Sequence, residues 1–475
     1  MMRAVFCLLF IFLLSLPSRC QTLTAVTHVN IVDVKNKNII ADQTVIIKKD
    51  RIERIGSNLR LPTGTKIIQG KDKFLIPGLW DMHEHNMDDE SATVTDSTMT
   101  PLLIANGITG VRDMFALKNT LRRRNSVRAG QLIAPEIFGG AMVDGPRPMW
   151  PLSVPVKDTL RAVILVDSLK NAGYDFIKVY SALPREIYFA IAAESKKQNI
   201  PFEGHVPSSI SPLEAALAGQ KSQEHQIGMI LQCSSLNDSS KNEFRKMESK
   251  MFFRGGKEMN DQWEILINSF DQEQLNHIAD AFIQKSAWYC PTLITNQNYL
   301  SRLKNFREEI KNDTLIQYVS KSSKGAWGFM AGPSAGYSAE DWKMRTRQLD
   351  LLNKIVKLFY DKKVNMLAGD DNNNPFCIAG FSLHQELQMF VDCGIPDAEV
   401  LKIATYNPAV FFKIEDQFGT VEQGKFANLV LLDANPLMKI SNTKKIEAVF
   451  LRGHYFDRNA LNGLLTGVKE YCKKN

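Results

Sequence analysis

Between residues 76 and 413, short apolar runs alternate with stretches of helical periodicity, and this alternation limits the fold more than any other feature of the chain. Eight runs read as strands: LWDMHEH (79–85), GVRDM (110–114), PEIFGGAM (135–142), FIKVY (176–180), PFEGHV (201–206), KSQEH (221–225), WYCPTLI (288–294) and NMLAGDD (365–371). Between them, stretches such as VKDTLRAVILVDSLKNAG (156–173) and PREIYFAIAAESKKQN (184–199) place apolar residues at helical spacing. Repeated strand–helix units force the strands parallel, so the expectation is an α/β fold closed as a (β/α)8 TIM-like barrel. A doubly wound open sheet is the alternative, but no glycine-rich phosphate loop follows an early strand.

The chain ends have a different texture. TAVTHVNIVDV (24–34), TVIIKKDRIERIG (44–56) and TKIIQG (65–70) are alternating and β-branched, and so are GTVEQGKFANLVLLDAN (419–435) and KIEAVFLRG (445–453). Neither group has enough strands to be stable alone, so residues 21–75 and 414–475 are expected to form one small β-sandwich domain beside a barrel spanning 76–413. Residues 231–285 and 300–345 are too long for ordinary βα loops, which predicts an insertion or lid around 231–345 that shapes the site.

At the N-terminus, Arg3 precedes the apolar run AVFCLLFIFLLSLP (4–17). That run is short for a membrane span and reads as a secretory signal ending at residue 20, so an exported protein, periplasmic or extracellular, is expected. A lipid anchor on Cys20 is disfavoured by Arg19, and no integral membrane domain is expected. The net charge of +7 is mild for 475 residues and basic runs such as LRRRNSVR (121–128) are short, which argues against nucleic-acid binding. The cysteines show no paired spacing that would assign a disulfide.

In a parallel barrel, functional side chains sit where strands end. His83 and His85 share one face of their strand, with Glu84 expected on the other. The fifth strand ends at His205, the sixth at His225 and the last at Asp370 and Asp371. Of the eight histidines in the chain, four fall at such ends, which points to a metal site. Lys178, inside FIKVY, would be costly to bury as a cation. It is either paired with an acid, or its amine has taken up carbon dioxide to become a carbamate, an anionic oxygen ligand. Arg147, in DGPRPMWP, could hold a substrate carboxylate, and Tyr180 could reach a carbonyl or carboxylate; structural roles remain open for both. His384 fits a helical pattern, and His28, His277 and His454 lie away from the strand ends.

These motifs together resemble the amidohydrolase superfamily, in its imidazolonepropionase-like and Xaa-Pro dipeptidase (prolidase)-like branch. The resemblance rests on IPGLWDMHEH, GAMVDGPRPMWP, YDFIKVY, EGHVP, QKSQEH, LAGDD, AGFSLHQEL (379–387), ATYNPA (404–409) and GKFANLVLLDANPL (424–437). It implies two divalent metal ions, zinc being the expected pair: His83 and His85 on one, His205 and His225 on the other, and carbamylated Lys178 bridging them. The family's Gly-Thr-Asp motif aligns with Gly369, Asp370 and Asp371, which makes Asp371 the metal-binding and catalytic aspartate and puts Asp370 at the threonine position. The implied reaction is hydrolysis of peptide-like C–N bonds, in dipeptides such as Xaa-Pro or in N-acyl amino acids, by a metal-bridging hydroxide with Asp371 as base and then acid. A mononuclear cyclic-amide hydrolase or deaminase, or a non-catalytic exported binding protein, is the alternative. Oligomeric state is not legible in the sequence.

Overall fold

The computed structural model describes residues 23–85 and 95–475; the signal segment expected at 1–20, with Cys20, lies outside them. Five strands come first: β1 (Leu23–Asp33), β2 (Asn38–Lys48), β3 (Arg51–Gly56), β4 (Lys66–Gln69) and β5 (Phe74–Pro77). The middle of the chain supplies β6 (Leu79–Glu84), β7 (Ile108–Asp113), β8 (Glu136–Asp144), β9 (Val154–Pro155), β10 (Phe176–Val179), β11 (Phe202–Gly204), β12 (Ser222–Glu224), β13 (Trp288–Cys290) and β14 (Asn365–Met366). The last three are β15 (Leu429–Leu432), β16 (Ile446–Leu451) and β17 (His454–Asp457).

The middle strands form one parallel sheet in the order β14-β13-β12-β11-β10-β8-β7-β6, with the short β9 beside β8. Its two ends meet: Met82 N donates to Ala368 O at 2.9 Å, and Asp371 N to His83 O at 2.8 Å. The (β/α)8 expectation therefore holds. Alternation along β6 turns Trp80 and Met82 outward onto Phe411 and Phe418 and leaves Asp81 and His83 on the inner side. A register irregularity between Asp81 and Glu84 interrupts the alternation, and the Glu84 carboxylate gathers with those of Asp81 and Asp370.

Strands from both chain ends form a second, mixed sheet, β17-β16-β15-β5-β1-β2-β3, with β4 beside β1. Its period-two pattern is used on both faces. Leu429 and Leu431 pack with Val26, Ile31 and Phe450, whereas Val430 and Leu432 join Ile76 and Val449 in the core shared with the barrel.

The stretch expected as a lid is helical. Asp238–Phe253, Lys257–Asn268 and Gln272–Lys285 lie between β12 and β13, and Leu293–Leu300, Lys321–Ala331 and Ala339–Asp361 lie between β13 and β14. Trp263, Trp327 and Trp342 carry these helices into the main core. No helix among the described residues is long and apolar enough to cross a membrane. The five described cysteines, Cys233, Cys290, Cys377, Cys393 and Cys472, are unpaired.

Candidate metal centre and active site

The candidate residues gather at or just beyond the ends of their strands, as the sequence predicts. Glu84 ends β6 just before His85, β10 carries Lys178, His205 follows β11 and His225 follows β12. Asp371 lies beyond β14 in left-handed backbone (φ 53°), as does His225 (φ 62°). Two glycines make room. A Cβ on Gly369 would stand 2.4 Å from the His83 nitrogen, and one on Gly204 would stand 2.5 Å from Lys178 Cδ.

Asp371 sits among imidazoles. Its Oδ1 lies 3.0 Å from His85 Nε2 and 3.5 Å from His83 Nε2, and its Oδ2 lies 3.5 Å from His225 Nδ1. The rings run on as a chain, with centroids 5.1 Å apart for His83–His85, 4.3 Å for His83–His225 and 4.7 Å for His225–His205. Lys178 Nζ is 3.4 Å from His83 Nε2. Asp370 faces away from this group. It is fully buried against Asp81 and Glu84, and neither of its oxygens has a hydrogen-bond partner among the described residues.

One ring nitrogen of each of three imidazoles has a carboxylate or hydroxyl partner. His83 Nδ1 meets Glu224 Oε2 at 2.9 Å, His205 Nδ1 meets Ser181 Oγ at 2.7 Å, and His225 Nδ1 meets Thr292 Oγ1 at 2.8 Å. Such partners fix the ring orientation and leave the other nitrogen for a ligand bond. Thr292 is itself held at φ 45°, unusual for a β-branched residue, and is fully buried.

The electrostatics suit cation binding. Burial, reinforced by the Lys178 cation, holds His83 and His205 well below the usual histidine range. Burial also takes His225 down to about 3 against the pull of Asp371. All three are therefore neutral near pH 7, the state in which imidazole binds metal. Burial pushes Asp371 up, but the adjoining His225 imidazole, the hydrogen bond from His85 and the Lys178 amine outweigh it and hold the carboxylate below its usual range. Burial lowers Lys178 to about 8, although Glu224 and Asp371 oppose the shift. This donor set fits divalent ions: clustered neutral nitrogens, an ionised carboxylate and an amine that gives up its proton easily.

Beneath the imidazoles lies a support that the strand-end reading missed. Arg112, fully buried in β7, donates to Glu203 Oε2 at 2.8 Å and to both oxygens of Glu224 at 2.9 and 3.0 Å, as well as to Met82 O. A buried cation shared by two carboxylates avoids the cost of an unpaired charge, and here it also anchors the acid that orients His83. The signal was present in GVRDM, PFEGHV and KSQEH, where charged residues interrupt apolar strands. Replacing Glu224 with glutamine keeps a hydrogen-bonding side chain but removes its charge, and should weaken zinc affinity by about 10–100-fold. Competition titration against a chromophoric chelator checks this, and unchanged affinity would remove Glu224 from the site.

The two candidate substrate residues are placed differently. Tyr180 stacks on His205, with centroids 4.1 Å apart and planes at 29°, and its hydroxyl accepts from Trp150 Nε1 at 2.9 Å. Arg147 lies exposed on the loop after β8 and makes no ion pair among the described residues. The loop is pinned by Asp144, whose carboxylate accepts from the nitrogens of Gly145, Met149 and Ala182.

With that geometry established, comparison with known proteins bears out the resemblance to amidohydrolases. The amidohydrolase family model matches residues 292–455, a span that includes Asp371, β15 and β16 but begins after the four histidines and Lys178. A bottromycin amidohydrolase structure is 20% identical with a TM-score of 0.69, covering 94% of this chain and 90% of its own. A putative prolidase from Bifidobacterium longum gives 19% and 0.65, covering 94% and 99%. An Xaa-Pro dipeptidase with methionine bound in its active site gives 17% and 0.63, covering 92% and 100%. At these identities the structural likeness speaks to the fold. No curated protein sequence matches the chain. The family-model match over residues 292–455 supports a hydrolase acting on carbon–nitrogen bonds.

Proposed function

We propose that the chain is an exported, metal-dependent amidohydrolase that cleaves peptide-like C–N bonds in dipeptides or N-acyl amino acids. The observation that carries this reading is the convergence of His83, His85, His205, His225, Lys178 and Asp371 at the strand-end mouth of a parallel barrel, where enzymes on this fold do their chemistry. His83 and His85 would hold one ion, His205 and His225 the other, and Lys178, as a carbamate, would bridge them. A lysine held near pKa 8 supports that role, because only the neutral amine adds carbon dioxide. Divalent ions bound there, zinc being the expected pair, supply Lewis acidity that acidifies water and polarises a carbonyl.

The chain's own residues do the rest. Asp371, ionised and beside the imidazoles, takes the proton from the attacking water and returns it to the departing amine nitrogen. Glu224, Ser181 and Thr292 keep the imidazoles oriented throughout. Tyr180, whose oxygen already accepts from Trp150, turns its own O–H towards the substrate carbonyl or carboxylate, and Arg147 meets the substrate carboxylate. The apolar run at 4–17 behind Arg3 supports export.

The test is amino-acid release from a library of dipeptides and N-acyl amino acids by zinc-loaded protein. Metal-dependent release is the expected result. Silence across the library from fully metallated protein would sink the reading.

A further inference from the structure

The loop carrying Arg147 has a feature that the reaction does not use. In GPRPMWPLS (145–153), three prolines interrupt the chain within six residues, 146–151, and Asp144 ties the loop to the backbone at Gly145, Met149 and Ala182. A loop so restrained would be expected to tuck its apolar side chains inward. Instead Met149 is 59% exposed, Trp150 39% and Leu152 63%. Scattered exposed apolar residues are ordinary, but three within four positions on a fixed loop form a presented surface. The surface is also joined to the reaction centre, through the Trp150–Tyr180 hydrogen bond and the Tyr180–His205 stack.

We propose that Met149, Trp150 and Leu152 form a substrate subsite for a bulky apolar side chain beside the scissile amide, so that the enzyme acts on carboxylate-bearing amides of branched or aromatic residues. This inference rests on the proposed amidohydrolase function. The occupant follows from the chemistry of the loop: Arg147 offers a cation for a carboxylate while its neighbours offer apolar area, and one small molecule with both groups meets both. Because the loop is rigid before binding, little ordering entropy is lost when a side chain covers it.

Two matched series of dipeptides test the subsite, Xaa-Ala and Ala-Xaa with Xaa alanine, leucine or phenylalanine. In at least one series, kcat/KM for leucine or phenylalanine should exceed that for alanine by about tenfold or more, the range that buried methylenes supply. The Met149→Ser/Leu152→Ser protein should bring that ratio towards unity. Both side chains are exposed, so the fold should tolerate the changes. Met438→Ser, which removes an equally exposed apolar group (77%) from the C-terminal region, should leave the ratio as it was. Hydrolysis without apolar preference, or a preference that the double variant retains, would overturn the subsite while leaving the amidohydrolase reading intact. No hydrolysis of any member, alanyl-alanine included, would overturn both.

Discussion

Replacing Lys178 with methionine is expected to lower kcat/KM by at least about a thousandfold and to reduce bound metal from about two equivalents to about one or fewer. Lys178 is fully buried, its nearest polar contact is an imidazole nitrogen, and it forms no ion pair among the described residues. The simplest structural role, a buried lysine neutralised by a bonded acid, therefore has no acid to support it among the described residues. With burial lowering its pKa to about 8, roughly a tenth of the amine is neutral at pH 7, enough to react with dissolved carbon dioxide. Methionine has nearly the same length and no charge to bury, so the variant should keep its Tm even as it loses metal and turnover. Isotope-labelled bicarbonate should give a carbamate carbon signal in the wild-type protein that Lys178→Met lacks. Wild-type turnover and metal content in the variant would end the bridging assignment.

Much of this site is legible in the sequence because a parallel barrel turns a linear rule, the residue at the end of each strand, into a spatial one. His83, His205, His225 and Lys178 can be placed from the sequence alone, since their runs are short, apolar and followed by helical spacing. What escaped were residues whose roles depend on which strands are neighbours. Arg112 meets Glu224 across 112 positions, and His225 finds Thr292 across 67. Periodicity within one segment carries no information about such pairs. The carboxyl cluster of Asp81, Glu84 and Asp370 is illegible for another reason: alternation assumes an unbroken register, and β6 breaks it between Asp81 and Glu84. The last strand is also shorter than its apolar run, Asn365–Met366 rather than 365–371, because Gly369 and the left-handed Asp371 bend the chain under His83. That bend separates the two aspartates, which the sequence alone could not do.

The separation predicts opposite outcomes for two adjacent substitutions. Asp371→Asn should lower kcat by about a thousandfold, within the range that general acid–base catalysis contributes, with KM changing far less. Asparagine suits the left-handed backbone at this position and can still hydrogen-bond His85, so the loss would report the missing proton acceptor rather than a collapsed loop. Asp370→Asn should stay within about tenfold of wild type. Burial, and then the neighbouring carboxyls of Asp81 and Glu84, push the Asp370 carboxyl well above its usual range, which favours its protonated form, and asparagine is close in shape to a protonated aspartate. Steady-state kinetics on the best dipeptide, with metal content measured on the same samples, decides between them. An Asp370→Asn protein that keeps its metal but loses turnover, beside an active Asp371→Asn, would transfer the proton-accepting role to Asp370. That result would also require the buried carboxyl group of Asp81, Glu84 and Asp370 to open towards the imidazoles during the reaction.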